Sequence, residues 1–450
     1  MHKIILALRY FLKRRITHFA VLAVALCVLI VFVVMTIMTG LVNDFKQKNY
    51  NFVGDCVIGT ESLVGFSYYE EFIHILEAQS DFIQANSPVI KSFVLISIKG
   101  SQRNRHLEMM GIDPVKHSWV TGFGNTLKYR KSDVSKAFEP TYDPNLLGCV
   151  LGIDLMLERN SSSEYFYAAS PANLAFLISC FPLTSRGALL RASTGLVNTK
   201  TFHYSDISQS GLARVDSSII YLPFEQAQEL CGMNRSVKRV SAIHIKFKPE
   251  IELNEGCEKV DLLWQKYKQE KADETQAYLL DTVKVQSWKD YRRSSIAPME
   301  NEQIELGVMF AFVGITNVFI VLVVFYVIIS HKSKDIGILK SIGVSNNDIL
   351  QLFSFFAFLV GLLGSSVGLL GGWIILRRID QIEDFLYRYF DFQFWDKTIY
   401  TIGDIPNQLN LKVLIIIVLS AIVACLAGAL IPSLQAARQK PVETLQVNQL

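Results

Sequence analysis

The sequence lacks the motifs by which many nucleotide-binding and catalytic proteins are recognised. No G-x-x-x-x-G-K-[ST] phosphate-binding loop occurs among its 450 residues, and neither an H-E-x-x-H metal motif nor a G-x-S-x-G nucleophile turn is present. The eight histidines are scattered without the spacing of metal ligands. We therefore expect no catalytic residue, no metal site and no cofactor in this chain, so a separate protein would have to hydrolyse any ATP that is used.

Net charge is also small, at +3 for the whole chain, which argues against a broad nucleic-acid-binding surface. Half of the residues are hydrophobic. That fraction is too high for an ordinary soluble enzyme and too low for a chain embedded in lipid throughout. The composition therefore predicts one part in the membrane and another part in water.

Four segments reach the roughly 20 apolar residues that the hydrocarbon core of a bilayer requires. They are Thr17–Gly40, Leu306–Ser330, Ile349–Leu376 and Val413–Ile431. The first could instead be the apolar part of a cleaved signal peptide, but such regions are shorter, about 7–15 residues, and end in small residues. We therefore predict an uncleaved anchor and four transmembrane helices.

Basic residues predict the orientation of these spans. Five of them precede the first span, namely Lys3, Arg9, Lys13, Arg14 and Arg15. The positive-inside rule then places the N-terminus in the cytoplasm, and four crossings return the C-terminal tail, residues 432–450, to the same side. Residues 1–16 would be either an amphipathic helix on the inner membrane surface or a simple basic flank. Residues 331–348 would be cytoplasmic, and 377–412 an extracytoplasmic loop.

Residues 41–305, between the first two spans, would form a large extracytoplasmic domain. Strand patterns and amphipathic helix patterns recur in its first and last parts, residues 41–142 and 229–305. We predict that these two parts form one split α/β domain, with a more β-rich subdomain inserted at residues 143–228. The strand patterns that support this division are Asp55–Gly59, Val89–Lys99, Val240–Phe247 and Ala277–Trp288.

Five of the seven cysteines fall in this exported stretch: Cys56, Cys149, Cys180, Cys231 and Cys257. An oxidising compartment would permit disulfides there. Five is an odd number, so at most two bridges could form, and their pairing cannot be read from the sequence. Isolated buried thiols are the alternative.

The third span carries a stripe of small residues at helical spacing: Gly361, Gly364, Gly368 and Gly372. Small residues with this period let two helix backbones approach closely in lipid. We predict that the stripe packs against another helix, and Ala424 and Gly428 in the fourth span offer a matching face.

The linker between the second and third spans holds the most informative pattern. Ile338, Leu339 and Ile342 fall on one side of a helix that would continue from the second span. Gly343 suits a helix C-terminal cap, and Ser345 suits the N-terminal cap of the next helix. The pattern predicts a rigid elbow that presents apolar and cationic groups to the cytoplasm, which a simple turn would not need.

This elbow resembles the [KR]-[ED]-I-[GA]-[IV]-L-[KR]-x-x-G signature of the FtsX and MacB superfamily of ABC permeases. In that family the signature contacts the ATPase subunit. The implied ATPase-coupling residues are Lys334, Asp335, Ile336, Gly337, Ile338, Leu339, Lys340 and Gly343. Residues 431–445, which begin Ile431-Pro432-Ser433, resemble the closing motif of the same family.

Three exported motifs are similar to those of one branch, the lipoprotein-releasing (LolC/LolE-type) permeases. They are Met110–Pro114, Leu151–Leu155 and Asp216–Gln228. The resemblance implies a multi-pass protein of the bacterial inner membrane with a Porter-like domain and a Sabre-like insertion in the periplasm. Its implied partners are a second permease subunit, two cytoplasmic ABC ATPase subunits that bind ATP and magnesium, and a periplasmic lipoprotein carrier.

The resemblance also implies a mechanism, that of a type VII ABC transporter, in which ATPase closure pushes the elbow and the span helices carry the displacement outward. The outer halves of spans one and two would line the substrate path, with Val34, Met35, Met38 and Phe310 as candidates. Rival interpretations are a MacB-like efflux permease, an FtsX-like regulator of cell-wall hydrolases, and a membrane-anchored sensor or enzyme without an ATPase.

Overall fold

The computed structural model describes residues 15–79, 81–98, 104–159, 165–167, 174–189, 197–235, 237–390 and 410–438. These residues divide into two compact units. We call the first the helical unit, which includes residues 15–44, 298–390 and 410–438, and the second the β-rich unit, which includes the described residues between 45 and 297. The predicted amphipathic helix before residue 15 and the tail beyond residue 438 lie outside the described residues.

Four long helices carry the predicted spans, and each is long and apolar enough to cross a membrane. They are α1 (Arg15–Val53), α10 (Arg293–Ser341), α11 (Asn346–Arg377) and α13 (Leu411–Arg438). The prediction of four apolar helices is thus confirmed. Residues 379–390, predicted as part of a loop, form helix α12 (Ile379–Phe390) instead, because Ile379, Ile382 and Leu386 recur at helical spacing.

The β-rich unit contains thirteen strands among its described residues. They are β1 (Cys56–Gly59), β2 (Phe66–Ser67), β3 (Ile83–Ile98), β4 (Asn104–Ile112), β5 (Gly148–Gly152), β6 (Leu157–Arg159), β7 (Tyr165–Tyr167), β8 (Ala175–Cys180), β9 (Asn198–Ser208), β10 (Ile219–Pro223), β11 (Arg239–Val240), β12 (Ala242–Phe247) and β13 (Lys284–Ser287). Its helices are α2 (Tyr69–Ala78), α3 (Pro114–Val120), α4 (Phe123–Thr126), α5 (Ile153–Met156), α6 (Ala213–Ser218), α7 (Phe224–Leu230), α8 (Leu253–Glu270) and α9 (Trp288–Tyr291).

Nine of these strands form one sheet, in the order β13-β1-β12-β3-β4-β10-β5-β9-β8. Strand β3 occupies a special place because it is 16 residues long and has three partners. Its first half pairs with β12, its second half with β4, and its last residues with β8. The pairing with β8 closes the six strands from β3 to β8 into a ring.

The predicted insertion does not stand apart from this sheet. Four strands from residues 143–228, namely β5, β8, β9 and β10, belong to the ring, where β10 pairs with β4 and β8 pairs with β3. The predicted boundary therefore runs between hydrogen-bonded strands, because β3 is long enough to serve both parts. Ala277–Thr282, predicted as strand, forms a 3₁₀ turn, since the adjacent residues Leu279 and Leu280 are both buried.

The three exported motifs that lie far apart in the sequence are neighbours in the fold. Strand β10 lies between β4 and β5, and Tyr221 pairs with Met110 on one side and Val150 on the other. A Cβ atom on Gly111 would lie 2.2 Å from the Cβ of Ala227, and one on Gly152 would lie 2.3 Å from the backbone oxygen of Asp216. Close packing between the motifs therefore requires glycine at both positions.

The amphipathic helices of the β-rich unit pack their predicted faces on the sheet. In α2, Tyr69, Phe72 and Leu76 are buried at helical spacing. Phe72 meets the ring of Trp264 from α8 edge to face, with centroids 4.8 Å apart, a geometry that adds about 0.5–1.5 kcal/mol beyond burial. The two helices thus share one core under the sheet.

Two histidines are buried side by side in the same unit. The rings of His117 on α3 and His244 on β12 have centroids 5.6 Å apart. Burial, with a smaller contribution from the charge of Lys91, lowers the pKa of His117 to about 3 and the pKa of His244 well below its usual range. Both rings are therefore neutral in the folded protein at neutral pH.

Acidification is expected to destabilise the β-rich unit through these histidines. Below pH 6.5 the unfolded chain binds protons that the folded chain excludes, so the free energy of unfolding falls as pH falls. Each histidine contributes a slope of about 1.4 kcal/mol per pH unit in that range. Thermal unfolding of the detergent-solubilised protein between pH 7.5 and 5 measures it.

The variant His117→Phe should show a shallower pH dependence, because one of the two buried bases is gone. The exposed His74, which faces Glu77 at 3.5 Å, provides the control, and His74→Gln should retain the wild-type slope. An equal slope in His117→Phe and wild type would contradict the assignment.

Candidate functional site

The predicted elbow, residues 331–348, contains the end of α10 at Ser341, and backbone hydrogen bonds fix the turn that follows. The Gly343 amide donates to the Lys340 oxygen at 3.0 Å, and the Val344 amide donates to the Leu339 oxygen at 3.1 Å. This pair of bonds is a Schellman motif. It needs a residue with left-handed backbone conformation, which Gly343 supplies with φ of +97°. The predicted C-terminal cap is confirmed.

A side-chain cap starts the next helix two residues later. Ser345 is the N-cap of α11, and its Oγ accepts a hydrogen bond from the Asp348 amide at 3.2 Å. Such a cap is worth about 1 kcal/mol of helix stability. Both helix ends are thus capped. Only Ile342 to Ser345 separate α10 from α11, so the turn between them is short.

One face of the elbow is packed inside the helical unit. Ile336 is 3% exposed and lies in an apolar cluster built by three helices. The other buried members are Ile329 from α10, Ile349 and Phe353 from α11, and Ala436 and Ala437 from α13. Gly337, beside Ile336, is also buried. This face of the elbow therefore rests on the end of α13 and supports the turn.

Lys340 is attached to the same helix end. Its Nζ donates to the backbone oxygen of Ala437 at 2.7 Å. That oxygen belongs to the last turn of α13, where carbonyls lack partners within the helix and a cation is favoured by the helix dipole. We expected Lys340 to face the cytoplasm as a presented charge. The structure instead binds it to α13, because an unpaired carbonyl lies within its reach.

The opposite face of the elbow is exposed and apolar. Ile338 is 49% exposed and Ile342, one helical turn later, is 77% exposed. Leu339 is half-buried between the two faces. Apolar side chains presented together on a surface are typical of an interaction site. Ile342 is absent from the signature, and its spacing of four residues from Ile338 is the signal that identifies it.

The remaining signature residues, Lys334 and Asp335, lie within α10 by backbone, and their side chains are outside the described part of the chain. Among the described residues, no group of three or more histidine, cysteine, aspartate or glutamate side chains is placed to hold a metal ion. The exposed side chains of Ile338 and Ile342 form an apolar surface on the described part of the elbow.

The glycine stripe of α11 lies against the first span. A Cβ atom on Gly364 would lie 2.7 Å from a methyl of Val24, and one on Gly368 would lie 2.5 Å from the backbone oxygen of Ala25. Farther along, a Cβ atom on Gly372 would lie 2.6 Å from a ring carbon of Phe32. Only glycine allows α11 and α1 to approach this closely.

The prediction that the fourth span packs against this stripe is wrong for most of its glycines. Gly361 does face α13, where a Cβ atom would lie 3.1 Å from the Cα of Ile422, but Gly364, Gly368 and Gly372 do not. Gly428 of α13 packs on α10 instead, where a Cβ atom on Gly428 would lie 2.6 Å from the backbone oxygen of Val318. Spacing predicts close approach, but each small residue serves whichever helix the bundle brings next to it.

The four candidate residues of the substrate path differ in exposure. Val34 and Met35 on α1 and Phe310 on α10 are half-buried, whereas Met38 is only 8% exposed. One residue on, Thr39 accepts a hydrogen bond from the Gln303 amide group at 3.1 Å, which joins α1 to α10. Met38 is therefore packed within the bundle in this structure, and its place on a substrate path stays a prediction.

Comparison with known proteins identifies the region that contains the elbow. Residues 307–441 match the family model described as the FtsX-like permease C-terminal domain. This stretch includes the apolar part of α10, the elbow, α11 and the described part of α13. The match thus covers the three spans that follow the β-rich unit.

Relatives match nearly the whole chain at low identity. The lipoprotein-releasing system transmembrane protein LolC of Xylella fastidiosa (strain 9a5c) is 20% identical over 449 residues, or 98% of both chains. The LolC of Neisseria meningitidis serogroup B is 19% identical over 432 residues, which cover 96% of this chain and 94% of that protein. An uncharacterized membrane protein of Buchnera aphidicola is 31% identical over 118 residues, 26% of this chain and 29% of that one.

Among solved structures, the extracellular domain of the noncanonic ABC-type transporter YknZ from Gram-positive bacteria matches 47% of this chain and 94% of its own length. The sequence identity is 12% and the TM-score is 0.28. Such a TM-score does not establish a common fold. The family match and the full-length relatives carry the assignment.

The family match falls on three helices of the helical unit and on the elbow, and the full-length relatives also span α1 and the β-rich unit. This FtsX-like match, together with four helices apolar enough to cross a membrane, places the protein in the inner membrane as a transporter component. The chain resembles the FtsX/MacB superfamily of ABC transporter permeases and, within it, the lipoprotein-releasing, LolC/LolE-type branch.

Proposed function

We propose that this permease releases lipoproteins from the inner membrane toward a periplasmic carrier, using ATP hydrolysed by two cytoplasmic ATPase subunits. The support is its similarity to two proteins named for lipoprotein release, each matched over at least 94% of its own length. The permease pairs with a second copy or a paralogue. It binds neither ATP nor magnesium, and both belong to the ATPase subunits.

The exposed pair Ile338 and Ile342 is the observation that carries the ATPase partnership. Two isoleucines on a capped turn would remain in contact with water unless a partner covered them. The packed face behind them, with Ile336 and Lys340, resists displacement of the turn relative to α13. A push on this surface therefore moves the ends of three helices together rather than bending one loop.

The elbow lies in the cytoplasm in this proposal, and the β-rich unit lies in the periplasm as a Porter-like domain with a Sabre-like insertion. Helices α1 and α10 connect the two units along the chain. The elbow is at the C-terminal end of α10, so displacement caused by ATPase closure has a covalent route to the β-rich unit. Mechanical transmission needs no catalytic group in this chain.

Lipid extraction determines what the transport path must provide. Each buried CH₂ group of an acyl chain is worth about 0.8 kcal/mol, so pulling three chains into water would cost tens of kcal/mol. The path must therefore shield the chains. Val34, Met35 and Phe310 are half-buried apolar residues on α1 and α10 that suit this role.

Purification of the tagged permease from membranes tests the proposal. We expect an ABC ATPase to remain bound, and depletion of the permease should leave lipoproteins in the inner membrane. A single cysteine introduced at Ser341 should react with a membrane-impermeant maleimide only after the cells are opened. Labelling of Ser341→Cys in intact cells would contradict the orientation, and normal lipoprotein sorting after depletion would favour a MacB-like exporter or an FtsX-like regulator.

A further inference from the structure

Four of the five cysteines in the β-rich unit lie in two pairs. The sulfur atoms of Cys180 on β8 and Cys231, which follows α7, are 3.7 Å apart. Cys257 on α8 packs against the core cluster that contains Cys56 on β1, and each of these thiols shifts the pKa of the other. The fifth, Cys149 on β5, is fully buried. All are free thiols in this structure.

Chain proximity does not explain either pair. Cys180 and Cys231 are 51 residues apart in sequence, and Cys56 and Cys257 are 201 apart, from 257 − 56. The fold brings each pair together within the core. For Cys180 and Cys231 the two sulfurs, now 3.7 Å apart, would need to approach by about 1.7 Å to reach a disulfide bond length.

We propose that the β-rich unit carries two disulfide bonds, Cys56–Cys257 and Cys180–Cys231, and that Cys149 stays a free thiol. The proposal rests on the periplasmic location proposed above, because disulfides form and persist in oxidising compartments. The oxidant is a protein disulfide of the thiol oxidoreductase class in that compartment.

In the first pair the partly exposed thiol, Cys257, is suited to start the exchange. Its interaction with Cys56 lowers the pKa of the Cys257 thiol. Its thiolate attacks one sulfur of the oxidant disulfide, which expels the other sulfur as a thiolate and forms a mixed disulfide. The Cys56 thiolate then attacks the Cys257 sulfur, the Cys56–Cys257 bond forms, and the oxidant leaves as a dithiol with two electrons and two protons.

The second pair is buried, so it would be oxidised while β8 is still open during folding. The same two-step exchange with the oxidant would join the two sulfurs. In the folded protein the Cys180 sulfur lies 3.6 Å from the Ser92 hydroxyl and 3.7 Å from the Cys231 sulfur. The bond would join the end of β8 to the segment after α7.

Each bond would join a strand of the nine-stranded sheet to an element outside that sheet. Cys56 lies three residues after Val53, the last residue of α1, so its bond to α8 ties the start of the sheet to the core. Cys180 lies on β8, the strand that closes the ring by pairing with β3. The first cross-link therefore ties β1 to α8, and the second ties β8 to the segment after α7.

Counting free thiols in the full-length protein tests the proposal. Cells are quenched with acid, and the denatured protein is reacted with a polyethylene glycol maleimide without reductant. The chain has seven cysteines, so two bonds leave 7 − 4 = 3 labels, on Cys27, Cys149 and Cys425. Mass spectrometry of the unreduced digest should recover the peptides joined through Cys56–Cys257 and Cys180–Cys231.

Two variants provide matched controls. Cys149→Ala should lose one label and keep both joined peptides, whereas Cys257→Ala should gain one label because Cys56 becomes free. A reductant should lower the thermal midpoint of the wild type by at least about 5 °C and leave a variant lacking all four paired cysteines unchanged. Seven labels on the wild type, or any other pairing, would overturn the assignment.

A topology measurement separates this proposal from the proposed function. Ser62 is exposed in the β-rich unit, and Ser62→Cys should react with an impermeant maleimide from the periplasm. Periplasmic labelling of Ser62→Cys together with seven free native thiols would overturn the disulfides and leave the transport proposal standing. Labelling only from the cytoplasm would overturn the proposed orientation itself.

Discussion

Replacing both Ile338 and Ile342 by aspartate is expected to prevent the ATPase subunit from binding while the permease stays folded. Both side chains are exposed on the elbow, Ile342 more than Ile338, so the substitution removes little internal packing. Each isoleucine covered by a partner is worth about 1.5–3 kcal/mol, and each aspartate adds a charge that the interface would have to desolvate. The combined loss corresponds to at least about a 100-fold weaker complex.

The measurement is the amount of ATPase that co-purifies with the permease, together with its stimulated hydrolysis rate. Ser341→Asp and Asn347→Asp add charge at exposed positions of the same turn without removing an apolar side chain, and both should bind far better than the double variant. Leu339 is a poorer target because it is half-buried. If the double variant bound the ATPase as the wild type does, the elbow would not be the docking surface.

The variant Gly368→Val is expected to destabilise the helical unit. Its Cβ atom would lie 2.5 Å from the backbone oxygen of Ala25 on α1, and a backbone atom cannot rotate away as a side chain can. The two helices must therefore separate. We expect a loss of about 3 kcal/mol, the upper part of the range for overpacked sites, seen as a lower thermal midpoint in detergent and less protein in membranes.

Gly314→Val on α10 is the matched control, because no atom lies within 4 Å of the position that its Cβ would occupy. The control introduces the same side chain into an apolar helix, so it also reports any effect of valine on helix propensity. We expect Gly314→Val to change the midpoint by less than a degree or two. Equal midpoints for the two variants would mean that α11 and α1 are not in close contact at Gly368.

Local signals predicted the elbow well, because helix caps depend on residues next to each other in sequence. Gly343 and Ser345 act as predicted. The periodicity of the end of α10 does not predict which of its two apolar faces α13 covers. Ile336 and Ile338 are both apolar, and only the tertiary structure shows that one is buried in a cluster and the other is exposed.

The β-rich unit was predictable as a set of strands and helices but not as a topology. Alternation identified most of β1 and β12 and the amphipathic face of α2. The triple pairing of β3 includes two strands that are distant in sequence, β8 at Ala175–Cys180 and β12 at Ala242–Phe247, and no local pattern encodes such contacts. The same non-local contacts decide which cysteines meet, so the sequence left their pairing open.

Close helix packing was likewise predictable from the glycine stripe, whereas its partner was not. Small residues at helical spacing predict that another helix packs closely against them. The structure shows that this helix is α1, which contacts the stripe through Val24, Ala25 and Phe32. The exposure of Met38 depends on the same bundle geometry. A residue-by-residue list of a path through the membrane therefore needs the assembled helices.

The bond from Lys340 to Ala437 spans 97 positions of the chain, and it gives the far end of the polypeptide an influence on a turn that it does not adjoin. Fusion tags or deletions that unwind the last turn of α13 would remove the hydrogen bond that joins the elbow to that helix. A permease truncated there would then fail to bind the ATPase, as a variant of Ile338 and Ile342 would, although neither isoleucine had been replaced. Affinity handles are best kept away from that terminus.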